Sequence, residues 1–144
     1  MNRALSSALL TLSLALGLGL ACRKNLAAPM KNIPAGTAHF QFTRKIQGPV
    51  ELTLDGVRVS VAPTAKNKKA RALIVTGLAA GKHRFFLYSP RDAFGPDQGE
   101  FEITPTNGVH LVTFTQAFNA VLYGKPDALP AAEGIPGVKA VLVP

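Results

Sequence analysis

The stretch PVELTLDGVRVSV, residues 49–61, decides the fold of this chain because it specifies a tight β-hairpin. Apolar residues alternate with polar ones on both sides of its centre, and this period of two is typical of strands with one buried face. Asp55 and Gly56 tolerate positive φ and therefore predict a two-residue type I′ turn. The turn places six apolar residues on one face as three cross-strand pairs: Leu54 with Val57, Leu52 with Val59, and Val50 with Val61.

Further short strands are predicted on both sides of the hairpin, separated by turns rich in Gly, Pro and Asn. They are Thr37–Ile46, Arg71–Leu78, Lys82–Ser89, Gly99–Thr104, Val109–Phe118 and Ala120–Tyr123. Because no helical repeat accompanies them, the sequence predicts an all-β fold for residues 37–123, an antiparallel immunoglobulin-like β-sandwich of about seven strands. The Pro- and Gly-rich remainder, 124–144, is interpreted as a C-terminal tail in which 138–143 is a candidate last strand.

Two segments of this domain resemble the PEGA domain, a small β-sandwich module of bacterial envelope proteins. They are Val50–Val57, the strand and turn of the hairpin, and Leu73–Phe85, where Leu78-Ala79-Ala80-Gly81 stands at the signature turn. The resemblance covers about residues 48–105. It implies an accessory module without a shared chemistry, and it implies that His83 bonds back to the preceding loop.

The amino-terminal segment, residues 1–21, has the layout of a bacterial secretory signal. Arg3 is followed by an apolar run over 4–20 and by the small residue Ala21. Cys22, the only cysteine, comes next, and this arrangement resembles the lipobox of bacterial lipoproteins, whose cysteine carries diacylglycerol with palmitate-like chains. A lone thiol on an exported protein has no disulfide partner, which favours lipidation at Cys22. An ordinary signal peptide and a single membrane anchor are the alternatives.

Residues 22–36 follow with two prolines and no periodicity, and we interpret them as a lipidated flexible tether. Two or three acyl chains would hold the protein firmly, because each buried methylene contributes about 0.8 kcal/mol. Arg23 stands where an inner-membrane lipoprotein of enteric bacteria would have Asp. By this resemblance we expect a protein of the cell envelope, anchored in the outer membrane and facing the periplasm.

The chain is basic, with 16 Lys and Arg against 8 Asp and Glu and a formal net charge of +8. A basic exported domain suits anionic lipid headgroups or cell-wall polymers, whereas nucleic acid is excluded as a partner outside the cytoplasm. Many secreted proteins carry such a charge without a specific anionic partner, so composition alone leaves both interpretations open.

Catalytic and metal-binding patterns are absent from the sequence. No serine lies in a nucleophile elbow, no phosphate-binding loop occurs, and the alternating Glu100 and Glu102 are interpreted as solvated side chains. His39, His83 and His110 fall on three predicted strands, where structural or solvated roles explain them without a metal. Asp92 and Asp97 could supply calcium ligands, but their spacing is not that of an EF-hand. We therefore predict no enzyme activity, no cofactor and no metal site.

Two loops are candidates for recognition. The first contains Lys66, Lys68, Lys69 and Arg71, which form either a contact site for an anionic surface or a solvated basic face. The second connects Ser89 to Gln98 and presents Arg91 and Phe94, although Phe94 could equally fold over the edge of the core.

These observations favour a non-enzymatic, lipid-anchored envelope protein that contacts another envelope component, whether cell wall, anionic lipid or protein. The alternative is a periplasmic lipoprotein that binds a small ligand or a metal ion.

Overall fold

The hairpin predicted from residues 49–61 is present in the computed structural model, which describes residues 32–65, 68–119, 122, 124 and 129–144. Asp55 and Gly56 have φ of 51° and 83°, as a type I′ turn requires. The pairs Leu52–Val59 and Leu54–Val57 form in the predicted register. The predicted signal segment, Cys22 and the tether up to residue 31 lie outside the described residues, as do Lys66 and most of the predicted strand Ala120–Tyr123.

The described chain from Asn32 to Pro144 is one compact all-β unit. Its ten strands are β1 (Ala38–Ile46), β2 (Glu51–Leu54), β3 (Val57–Val59), β4 (Val61–Ala62), β5 (Ala70–Thr76), β6 (Gly81–Tyr88), β7 (Asp92–Gly95), β8 (Gln98–Ile103), β9 (Val109–Ala117) and β10 (Lys139–Val143).

The strands form two sheets in a sandwich-like arrangement. The larger sheet has the order β4-β10-β5-β1-β9-β7, and the smaller sheet has the order β3-β2-β6-β8. The predicted antiparallel pairing holds for six of the eight strand pairs, whereas β1 pairs with β9, and β4 with β10, in parallel. Both parallel pairs join strands that are far apart in the sequence, so no hairpin signal could indicate their direction.

Three further differences from the prediction concern single strands. The chain passes from the smaller to the larger sheet after Val59, so Val61 pairs with Ala140 of β10 instead of with Val50. The connection 89–98 contains strand β7, which pairs with the end of β9. The candidate last strand at 138–143 is present as β10, an internal strand between β4 and β5, although the sequence placed it in a tail.

The core lies between the two sheets. Phe40 of β1 makes edge-to-face contacts with two rings of the smaller sheet, at centroid distances of 5.1 Å to Phe85 and 6.2 Å to Phe101. Leu52, Leu54 and Leu87 are completely or almost completely buried against this cluster. The alternating pattern of residues 49–61 is therefore explained by burial of one face of β2 and β3.

Candidate functional site

Exposed cations gather at one end of the larger sheet, which we call the basic end. It is formed where β1 ends and β5 and β7 begin. Its members are Arg44, Lys45, Lys68, Lys69, Arg71 and Arg91, all of them exposed.

A bulge in β1 exposes two successive cations at this end. The pairing of β1 with β5 shifts register between Gln41 and Ile46, and the three residues Thr43 to Lys45 are all exposed instead of alternating. The hydroxyl of Thr115 on β9 accepts a bond from the Arg44 amide at 2.9 Å and donates one to the Arg44 carbonyl at 3.1 Å. These bonds replace part of the interrupted ladder, so the bulge holds Arg44 and Lys45 toward solvent.

The two loops predicted for recognition meet at the same end. Asp92, which follows Arg91 at the start of β7, is buried and accepts a hydrogen bond from the Ser89 hydroxyl at 3.3 Å. Burial raises the pKa of the Asp92 carboxyl, whereas the Ser89 bond and the nearby cations Arg44 and Lys69 act to lower it, with a net increase. Asp92 thus ties the bulge, the basic loop and the second loop to one place.

Exposed apolar side chains occur on and after β9, whose last residue pairs with Asp92 at this end. Phe114 lies on β9 opposite Gly95 and is 63% exposed, and the amide of Phe118 donates to the carbonyl of Arg91 at 3.1 Å. Phe118 is 42% and Leu122 is 77% exposed. Large exposed hydrophobic residues next to a basic cluster mark a contact surface more often than isolated ones do.

Phe94, the second residue predicted for recognition, is half-buried. Its ring lies 5.5 Å from that of Phe42 and packs against the core. The structure therefore agrees with the alternative that Phe94 folds over the core edge. Arg91 is exposed at the basic end. The sequence analysis had not identified Arg44, Lys45 or Phe114 as candidate recognition residues.

The Asp55 turn is connected to β6 through His83. Nδ1 of His83 bonds to Oδ2 of Asp55 and Nε2 to the carbonyl of Ala79, both at 2.7 Å. Burial lowers the pKa of His83, but the bonds to Ala79 and Asp55 outweigh this effect and raise it overall. Both ring nitrogens are occupied, so His83 bonds back to its loop as the resemblance implied and has a structural role.

The remaining acids that the structure describes lie apart from one another or opposite cations. Glu100 and Glu102 lie directly opposite Arg84 and Lys82 across the β6–β8 pair, which accounts for their alternation. Asp92 points into a buried, cation-rich environment, and Asp97 is exposed. In the part of the chain that the structure describes, no three His, Cys, Asp or Glu side chains are grouped as metal ligands.

His39 and His110 are brought together, unlike His83. They are direct partners in the parallel β1–β9 pair, and their ring centroids are 4.9 Å apart. Burial lowers the pKa of both rings, and the neighbouring His39 lowers that of His110 further.

A cleft of about 690 Å³ lies on the smaller sheet, beside the Asp55-Gly56 turn. Two phenylalanines, Phe85 and Phe86, line it together with residues whose side chains donate or accept hydrogen bonds: Thr53, Arg84, Gln98 and Glu100.

Comparisons with protein-family models, with curated proteins and with solved structures give no match for this chain. Among the described residues no helix has the length and apolar character needed to cross a membrane.

Proposed function

We propose that this protein is a non-enzymatic, lipid-anchored cell-envelope protein whose immunoglobulin-like, PEGA-like domain contacts an anionic lipid surface. The observation that supports this proposal is the basic end, where three separate chain segments converge. Six exposed cations lie on these segments, and two of them, Arg44 and Lys69, interact electrostatically with the buried carboxylate of Asp92. Each Lys or Arg near an anionic surface contributes about 1 kcal/mol, so several together bind strongly at low salt.

The apolar residues at this end favour lipid over a cell-wall polymer. Aromatic rings are enriched at membrane–water interfaces, where an apolar body enters the headgroup layer while neighbouring cations contact phosphate. Phe118, whose amide bonds to the Arg91 carbonyl, supplies that apolar component together with the exposed Phe114 and Leu122. A polysaccharide carboxylate would use the cations and leave these side chains in water.

The chain enters the domain at the opposite end of β1. The amide of Gly108 donates to the carbonyl of Ile33 at 2.9 Å, and β1 and β9 both begin within a few residues of this bond. At 3.3 Å per residue, the length of β1 separates this entry from the basic end by about 25 Å. Cys22 precedes Asn32, the first described residue, by ten residues.

The anchor is tested by metabolic labelling with a radioactive fatty acid. The wild-type chain is expected to be labelled and to fractionate with outer membranes, and Cys22→Ser is expected to lose the label and be released. Equal labelling of both chains would contradict lipidation at Cys22.

The contact surface is tested by sedimentation of the Cys22→Ser chain with vesicles. Binding is expected with phosphatidylglycerol-containing vesicles and not with pure phosphatidylcholine, and Phe114→Ser with Phe118→Ser is expected to weaken it. Binding to isolated cell-wall sacculi but not to the anionic vesicles would contradict the lipid assignment.

A second candidate function is the carriage of a small polar ligand in the cleft beside the Asp55-Gly56 turn. Neither Arg84 nor Glu100 has an ion-pair partner within 4 Å in the described part of the chain, so both are available to a ligand around the Phe86 ring. This function is tested by adding a panel of sugars and amino acids one at a time and recording amide chemical shifts. Shift changes at Phe86 and Gln98 would support it. Spectra that do not change with any compound of the panel would exclude this ligand-binding function.

A further inference from the structure

The His39–His110 pair has a geometry that suits one metal ion. The two residues face each other across neighbouring strands, so their separation is fixed by the sheet and not by flexible loops. A transition-metal ion bound 2.0–2.1 Å from a ring nitrogen lies about 3.2 Å from the ring centroid. The two centroids are 4.9 Å apart and the ring planes are inclined at 79°. If each ring turns one nitrogen toward the ion, the two centroids subtend about 100° at it, which is between the angles of square-planar and tetrahedral coordination.

The ring nitrogens of the pair are available for coordination. In the described part of the chain neither ring has a hydrogen-bond partner, and Nδ1 of His110 is buried without one. A buried polar atom without a partner costs free energy, which a ligand would recover.

We propose that His39 and His110 form a two-ligand site for a divalent first-row transition-metal ion, with Cu²⁺ bound most tightly. Imidazole nitrogen suits Zn²⁺, Ni²⁺ and Cu²⁺, and affinity along this series is highest for Cu²⁺. Water completes the coordination, because no third His, Cys, Asp or Glu joins the pair among the described residues. Among the described strands none pairs with β9 at His110 on the side away from β1, since β7 pairs with β9 only from Phe114 onward.

The site is independent of the basic end. His39 and His110 belong to the first half of the β1–β9 pair, near the entry of the chain, whereas Arg44 and Thr115 belong to the second half. Loss of vesicle binding would leave the metal site intact, and loss of the metal site would leave vesicle binding intact.

The test titrates the full chain carrying Cys22→Ser with Cu²⁺, so that no thiol competes. We expect one equivalent to bind with a Kd below about 100 µM, and the electron paramagnetic resonance spectrum to show splitting from two nitrogen ligands. His39→Gln and His110→Gln are each expected to weaken binding at least about tenfold. His83→Gln is the matched control, because both nitrogens of His83 are already bonded, and it is expected to bind as the parent does.

Measuring Tm with and without Cu²⁺ distinguishes a variant that has lost the metal site from one that binds weakly because it is partly unfolded. Cu²⁺ is expected to raise the Tm of the parent and of His83→Gln, since a ligand that binds only the folded state stabilises it. It is expected to leave the Tm of folded His39→Gln unchanged. Unaltered Cu²⁺ binding in His39→Gln or His110→Gln, a loss of binding in His83→Gln, or one-nitrogen spectra in the parent would each overturn the proposal.

Discussion

Replacing Leu142 by Ala tests whether the C-terminal strand belongs to the core. Leu142 is 4% exposed, lies in β10 between β4 and β5, and pairs with the fully buried Leu73. Losing the transfer free energy of the side chain costs about 2 kcal/mol, and the cavity left between flanking strands adds about 1 kcal/mol. We therefore expect Leu142→Ala to lower the free energy of unfolding by about 3 kcal/mol and the Tm by on the order of 10 °C.

Val141→Ala is the matched control, because Val141 points to the other side of the same strand and is 39% exposed. Its expected cost is below about 1 kcal/mol. Urea unfolding followed by far-ultraviolet circular dichroism measures both, since the chain contains no Trp, and the m-value should stay constant. Equal losses for the two variants, or a neutral Leu142→Ala, would refute the placement of β10.

Two further predictions concern the turns and pH. Gly77→Ala should lower the free energy of unfolding by well above 2 kcal/mol, because the added Cβ would overlap the Gly137 carbonyl. Gly56→Ala places its Cβ in open space and should cost only about 1 kcal/mol, from strain at positive φ. Equal decreases in Tm for the two variants would contradict this prediction. His83 has a raised pKa and stabilises the fold below pH 6.5, so its contribution is lost as pH rises through the folded-state pKa. Asp55, whose pKa is lowered by the bonds to Arg84 and His83 despite burial, loses its contribution below pH 3.8 as pH falls. The stability difference between wild type and His83→Gln should thus be larger at pH 5.5 than at pH 8.5 in urea titrations, and the opposite order would refute the pairing.

The parts of the fold that could be predicted from the sequence are those fixed by local patterns. Asp55-Gly56 predicts the turn, and the alternation around it predicts which face of β2 and β3 is buried. Both features could be predicted because a hairpin is formed by residues that are close in the sequence. β7 was missed since its four residues, Asp92–Gly95, carry no alternation long enough to detect. The parallel contact of β1 with β9 depends on pairing across the whole domain, which a local pattern does not encode.

The candidate sites divide in the same way. The basic loop was visible as a run of cations, but Arg44 and Lys45 sat inside a predicted strand whose bulge had no sequence signal. The pairing of His39 with His110 required the order of the strands, although each residue could be assigned to a strand beforehand. The role of Phe94 could not be predicted, because an aromatic residue in a Pro-containing connection can either contact a partner or pack over the edge of the core.

The most direct test of the proposed function compares vesicle binding by two variants that have the same net charge but lack cations at different places. Lys45, Lys68 and Lys69 at the basic end are replaced by Gln in one variant, and Lys82, Arg84 and Lys139 elsewhere on the surface are replaced by Gln in a control of equal net charge. At about 1 kcal/mol per cation, the first variant should bind phosphatidylglycerol vesicles roughly 100-fold more weakly at low salt. The control should lose less than about threefold, and both losses should shrink as salt screens the charges. Equal weakening of the two variants would show that net charge alone drives binding and would contradict a contact surface at the basic end.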